Sequence, residues 1–221
     1  MCARYNNRRP ERLQPGGGTH TPAQLLRQPD PPAAPGTFQP VIVVENGVRI
    51  ERMMKWGLVP HWSRDGKAGP FNARAETIAE LPTFREPFKK RRGLVEMECF
   101  YEWANAGTKN RKPYKFFLKS GEPFTVAAVW DTWSKGQTLL LSYTLITTAP
   151  NELIKPLHHR MAVILPPGFQ DEWLDPLNNN VDSLLRMLSP YPAESMACEP
   201  VAPLPSTRSA QKSDKDLFGD L

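Results

Sequence analysis

The sequence predicts an α+β protein whose core is a mostly antiparallel, barrel-like β-sheet with short helices at its periphery. Three observations carry that prediction. β-Branched and aromatic runs recur between turn signals from Val41 to Leu165, the helix-compatible stretches are short and broken by proline, and no internal repeat appears. A chain of 221 residues is long enough to bury a substantial core, and no break in composition divides it. Residues 1–205 are therefore expected to form one domain and the polar residues 206–221 a loose tail.

The elements follow in order. Behind MCARY, the stretch from Pro10 to Pro40 holds eight of the 24 prolines and the triplet Gly16 to Gly18, and is expected to wander over the surface. Within it, Thr21-Pro22-Ala23-Gln24-Leu25-Leu26 has the cap and the first-position proline of a short helix. VIVVENGVRIERMMKWGLVP places two strand-forming runs around Asn46-Gly47, a pair suited to the positive φ angles of a tight hairpin. Residues 73–92, ARAETIAELPTFREPFKKRR, read as helical pieces broken by Pro82 and Pro87. GLVEMECFYEW reads as one buried strand. YKFFLKSGEPFTVAAVWDTW and QTLLLSYTLITTAP, with turns at Ser120-Gly121 and Lys135-Gly136, read as an antiparallel meander, and HHRMAVILP as one more strand. Residues 168–175 and 181–188 read as short helices.

Composition narrows the function classes. No apolar run is long enough to span a bilayer, and the N-terminus lacks the apolar stretch of a signal peptide. A soluble, cytoplasmic protein without a membrane partner is expected. Cys2, Cys99 and Cys198 are widely spaced and form no CxxC pair, so neither a disulfide framework nor a zinc site is suggested, and free thiols fit a reducing cytosol. The net charge of +5 and the run KKRR at Lys89 to Arg92 suit a polyanion such as nucleic acid. A short basic run is equally the composition of a solvated surface.

Several segments combine polar groups with neighbours that expect burial. WGLVPHW at Trp56 to Trp62 and FNARAET at Phe71 to Thr77 supply aromatics, Asn72 and Arg74, which fit a surface that stacks bases and pairs phosphates, or else an aromatic core with a satisfied asparagine. In CFYEW, Glu102 lies between Tyr101 and Trp103. If it points inward, desolvation raises its pKa toward the range useful for proton transfer; if alternation points it outward, it is a surface carboxylate. LHHRMAVIL sets His158, His159 and Arg160 at the mouth of an apolar strand; no second cluster has metal-ligand spacing, so no metal or other cofactor is expected. Cys2, directly behind the initiator methionine, is an incidental residue on packing grounds, since chain ends seldom pack.

Taken together and in this order, MCARY, WGLVPHW, NARAET, CFYEW and HHRMA resemble the SRAP family, the SOS response-associated peptidases, over Cys2 to about Pro166. The resemblance implies a catalytic set of Cys2, Asn72, Glu102 and His158, the last chosen over His159 by its spacing from Arg160. It implies Arg4, Arg74 and Arg160 as phosphate contacts, with Arg85 of the same kind, and Trp62 as an aromatic stacked beside a DNA lesion. The implied activity is covalent capture of abasic sites in single-stranded DNA during the DNA damage response, by a protein expected to act as a monomer. Removal of Met1 would expose an amine and a thiol on one residue, which can close a thiazolidine ring on the aldehyde of an open abasic sugar. The family name also raises a cysteine peptidase, limited in its mildest form to removal of Met1, and the basic and aromatic residues raise a noncatalytic reader of modified or single-stranded DNA. Three departures stand out: Ala3 where the family has glycine, Cys99 where a glycine precedes FYEW, and Ala162 in place of the proline of HxRMP.

Overall fold

The structure, a computed structural model, describes residues 3–7, 32–105, 107–108 and 110–205. Cys2, the Thr21–Leu26 helix expected from sequence and the tail from residue 206 onward lie outside the described residues. Five strands close into a ring: β2 (Phe38–Glu45), β3 (Val48–Trp56), β5 (Arg92–Met97), β8 (Phe124–Lys135) and β9 (Thr138–Thr148). Their order is β9-β3-β2-β5-β8, and β8 pairs back with β9 to complete the barrel. All these pairings are antiparallel except β3 with β9. The α+β, barrel-like architecture expected from the sequence is therefore the one observed.

Strand alternation explains why the apolar runs are nearly continuous. Val41, Val43, Met54, Trp56, Val95, Val126, Ala128, Tyr143 and Leu145 gather in one core. Their sequence neighbours Leu94, Ala127, Val129 and Ile146 point the other way, into a second core under the helices. That outer layer is made by α1 (Pro82–Lys90), α2 (Pro167–Leu174) and α3 (Val181–Arg186), which contribute Phe84, Phe88, Trp173, Leu174 and Leu184. The β2–β3 hairpin turns at Asn46 and Gly47, with φ of 51° and 77°, as the dipeptide predicts.

A second, four-stranded antiparallel sheet has the order β1-β6-β7-β12, formed by β1 (Tyr5–Asn6), β6 (Cys99–Ala104), β7 (Lys112–Leu118) and β12 (Met196–Pro200). It contributes Tyr5, Phe100, Phe116 and Met196 to the barrel-side core. The remaining short strands, β4 (Asn72–Arg74), β10 (Met161–Ala162) and β11 (Ile164–Leu165), join the edges of β9 and β8.

Several expected elements divide differently. GLVEMECFYEW is not one strand: β5 belongs to the barrel and β6 to the smaller sheet, with the Glu98 N–H donating to the Asn6 carbonyl at 2.9 Å at the changeover. The Ser120-Gly121 turn likewise hands the chain from one sheet to the other, so only β8 and β9 make the expected hairpin. HHRMAVILP splits at Val163, whose N–H donates to Ile146 while its carbonyl accepts from Ala127, so β10 follows β9 and β11 follows β8. An apolar run buried on both faces carries no mark of which sheet it joins.

Pro82 does begin α1, but Pro87 does not end it; the ring lies buried in the face that packs on the barrel. The basic run is only partly at the surface: Lys90 is exposed and Lys89 and Arg91 half-buried, but Arg92 turns inward. Arg92 is buried and donates to the carbonyls of Trp173, Phe88, Lys89, Asp175 and Asn178, and that burial pulls its guanidinium down to about 10. It latches α1 to the end of α2.

Candidate functional site

The N-terminal strand is tied down rather than loose. Tyr5 is fully buried, packs on Trp56 at a ring separation of 5.0 Å and shares a 2.6 Å hydrogen bond with the Tyr143 hydroxyl. β1 runs antiparallel to β6, with Tyr5 opposite Phe100 and the Tyr101 N–H donating to the Arg4 carbonyl at 2.9 Å. Continuing that register puts the chain's first described residue, Ala3, level with Glu102.

Glu102 points inward. It shares a strand face with Phe100, a core residue, and is 2% exposed. Burial pushes its carboxyl up to about 7, so the acid and its conjugate base are both populated near neutral pH. The His158 ring faces it, with Nδ1 3.8 Å from Glu102 Oε1. His158 is itself buried, which pulls its pKa down and favours neutral imidazole, although Nδ1 lies 3.0 Å from the Arg160 carbonyl and 3.1 Å from the Arg160 N–H. The loop to β10 thus grips the ring by its own backbone. The adjacent His159 ring stacks on it at 4.5 Å.

Arg160 anchors that loop. Its guanidinium makes a bidentate pair with Glu76, both contacts at 2.7 Å, and donates to the Thr147 carbonyl at 2.7 Å. The pair holds the Glu76 carboxyl below its ordinary range. Glu76 sits in the short 3₁₀ turn Ala75–Thr77 directly after β4, which runs parallel to β9 with Asn72 opposite Leu145 and Arg74 opposite Thr147. Asn72 follows Phe71, whose carbonyl accepts from the Trp56 indole at 2.7 Å. Trp56 therefore packs on Tyr5 on one side and fixes the start of the asparagine strand on the other.

A family model described as SOS response associated peptidase (SRAP) matches residues 1–204. The chain belongs to this family. Among curated relatives, the abasic site processing protein YoaM of Bacillus subtilis is 38% identical over 197 residues, covering 86% of each chain. The abasic site processing protein HMCES of Pongo abelii is 31% identical over 180 residues; the match takes in 66% of this chain and 51% of that longer one. A solved structure from Bacteroides thetaiotaomicron superposes with a TM-score of 0.69 at 29% identity, over 76% of this chain and 75% of that one. One from Bordetella bronchiseptica gives 0.73 at 24% identity over 91% and 100%, a likeness of fold.

Within this SRAP domain, the residues expected to contact DNA take three different positions. Trp62, Arg74 and Arg85 are exposed. Arg160 is buried and paired with Glu76, so a phosphate reaching it must displace that carboxylate. Arg4 is buried, and its guanidinium donates to the carbonyls of Pro32 and Pro205, which burial accompanies with a lowered pKa. Arg4 thus ties the start of β1 to two distant segments. Glu76, Thr147 and Tyr143 were not singled out from sequence; Glu76 stands inside the NARAET motif, two residues after Arg74, and that position was the available signal. Among the described residues no group of three or more His, Cys, Asp and Glu side chains could hold a metal ion, and no helix is long and apolar enough to cross a membrane.

Proposed function

We propose that this protein captures abasic sites in single-stranded DNA covalently through Cys2. The observation that carries the reading is Glu102, a buried carboxyl titrating near neutrality, facing His158 on the strand that β1 follows toward the chain's beginning. Cys2 is one peptide from Ala3, a Cα step of about 3.8 Å. Two of the relatives above are named abasic site processing proteins, and the match to the first spans most of both chains.

The chemistry balances without a cofactor. After Met1 is removed, the Cys2 amine, with a reference pKa of about 7.7–8.0, adds to the open-chain aldehyde and the carbinolamine loses water to give an imine. The thiol then gives up its proton to the carboxylate that supplied the first one and its sulfur adds to the carbon of the protonated imine, closing a thiazolidine. One water is released in all. The ring removes the iminium that would otherwise promote strand cleavage by β-elimination. Glu102, populated in both protonation states, gives the proton that makes the carbinolamine hydroxyl a leaving group and takes it back from the thiol. Neutral His158 binds the hydroxyl freed by sugar-ring opening, and Asn72 orients the amine or the sugar. Arg74, Arg85 and Trp62 meet the flanking strand, and Arg160 joins them on exchange of Glu76 for phosphate. The word peptidase in the family description fits the removal of Met1.

Intact mass of the purified protein, alone and after exposure to abasic single-stranded DNA, tests the reading. A species lacking Met1 that gains the mass of the oligonucleotide less one water, and loses this capacity in Cys2→Ala, is expected. Adduct persisting in Cys2→Ala would falsify the thiazolidine route.

A further inference from the structure

The segment Trp130-Asp131-Thr132-Trp133 of β8 takes no part in the site described above, yet two of its side chains reach back to the turn that carries Trp62. Asp131 is buried, with 3% of its side chain exposed. Its Oδ2 accepts the His61 N–H at 3.0 Å and lies 3.1 Å from His61 Nδ1. Its Oδ1 accepts the Thr132 N–H at 2.8 Å and lies 3.2 Å from the Arg91 guanidinium. Two residues on, the Trp133 indole donates to the Ser63 carbonyl at 2.8 Å.

The residues immediately before and after Trp62 are thus both fixed to one face of β8. The turn is closed between them by the Ser63 N–H, which donates to Pro60 at 2.9 Å, and the approach is pinned by Val59, whose N–H donates to Ser142 Oγ at 2.8 Å. On the far side the loop lies against the Trp133 ring at Gly66 (φ +65°), where a Cβ would come within 2.6 Å of the indole. Despite this bracing Trp62 remains 56% exposed. A turn anchored on both flanks around an outward tryptophan gains nothing for the core from that ring.

The placement relative to Asn72 is also set by the sheet. Asp131 pairs with Ser142, and Leu145, three residues further along β9, pairs with both Ala128 and Asn72. At a strand rise of ~3.3 Å per residue the brace lies ~10 Å along the sheet from the asparagine. We propose that Asp131 and Trp133 are positioning residues that hold the Trp62 turn as a preformed stacking platform for a base of the single strand flanking the captured site. This rests on the reading of Trp62 as a DNA contact and adds what makes it one. A turn already ordered before binding does not lose that freedom when the base arrives.

Binding of a single-stranded oligonucleotide without an abasic site, followed by fluorescence anisotropy, tests the platform separately from capture. Trp62→Ala is expected to weaken binding about tenfold, the scale of one base–aromatic stack, and Trp133→Phe and Asp131→Asn about three- to tenfold. In the Trp62→Ala background neither further substitution should weaken binding again. With abasic DNA, the loss in the single variants should appear as a higher half-saturating DNA concentration more than as a slower capture rate at saturation. Trp133→Phe keeps an aromatic ring on the strand and removes both the donor to Ser63 and the part of the indole that lies against Gly66, so it decides the matter should Asp131→Asn fail to fold. Wild-type binding by Trp133→Phe, or a full additional loss in the Trp62→Ala background, overturns the proposal. A wild-type protein that binds the plain oligonucleotide but forms no adduct overturns the covalent function and leaves the platform standing.

Discussion

Two buried carboxylates, Glu102 and Asp131, have nearly the same exposure, 2% and 3% of the side chain, and opposite surroundings. Asp131 meets two backbone N–H groups, an imidazole and a guanidinium, all within 3.2 Å. Those partners supply what a negative charge loses when it leaves water. Glu102 faces an imidazole held neutral by its own burial at 3.8 Å, and desolvation dominates, pushing the carboxyl up to about 7. Burial alone therefore does not make a reactive acid. The carboxylate ringed by donors braces a turn; the one whose desolvation outweighs its stabilising contacts is suited to move protons.

The sharpest way to break this comparison is Glu102→Gln, which keeps shape and removes the titration. Capture should fall by at least ~100-fold, the lower end for loss of a general acid–base. Stability should move the other way. The folded pKa, about 7, lies above the unfolded value, so Glu102 favours the folded state most below that unfolded value and the advantage is lost as pH rises through 7. With an unfolded value of about 4.3, ionised Glu102 costs up to roughly 4 kcal/mol at alkaline pH. Thermal melts should show Glu102→Gln stabilised at pH 8 and little changed at pH 5; equal effects at both would mean that desolvation does not dominate at this carboxyl.

Asp131→Ala should have the contrary sign. It leaves the Arg91 guanidinium and the His61 N–H without their acceptor, a loss of about 2–3 kcal/mol. For a domain of this size that is a fall of roughly 5–10 °C in Tm. A neutral Asp131→Ala would show that its ring of donors is idle, and the contrast with Glu102 would rest on burial alone.

The sequence already showed the motifs and not the pairing that gives them different meanings. The hairpin at Asn46-Gly47 was legible because φ > 0 selects those residues, and the late helices because proline opens one short run and an asparagine cap opens the other. The inward direction of Glu102 was not, since Cys99, Phe100 and Tyr101 are buried as well and alternation has no polar face to read. Nor was the fate of KKRR, because Arg92 finds its five carbonyls only when α1 and α2 come together. Glu76 stood within a motif, but its pairing was hidden for the same reason: Arg160 is 84 residues away.

Glu76 is a third carboxylate, between the other two in character. It is half exposed, yet it occupies the buried Arg160 as a phosphate would. Glu76→Gln should release that guanidinium for DNA. Affinity for single strands should rise a few-fold at low salt, and the slope of log affinity against log salt should steepen by about 0.7, one added phosphate contact. An unchanged slope would keep Arg160 as a structural anchor of the His158 loop in the bound state too.

The smallest expected effect belongs to Ala3, the departure nearest to Cys2. Among the described non-glycine residues positive φ occurs only at Asn46 and Asn105, so the backbone at Ala3 needs no glycine. It leads into β1, whose register against β6 sets how the chain approaches Glu102. Ala3→Gly would then loosen the segment that delivers the nucleophile, by about 0.5–1 kcal/mol of backbone order, and slow single-turnover capture about two- to fivefold. Faster capture by Ala3→Gly would reverse the argument, because it would mean that the methyl group obstructs the sugar, and that the site gains more from room than from a fixed strand.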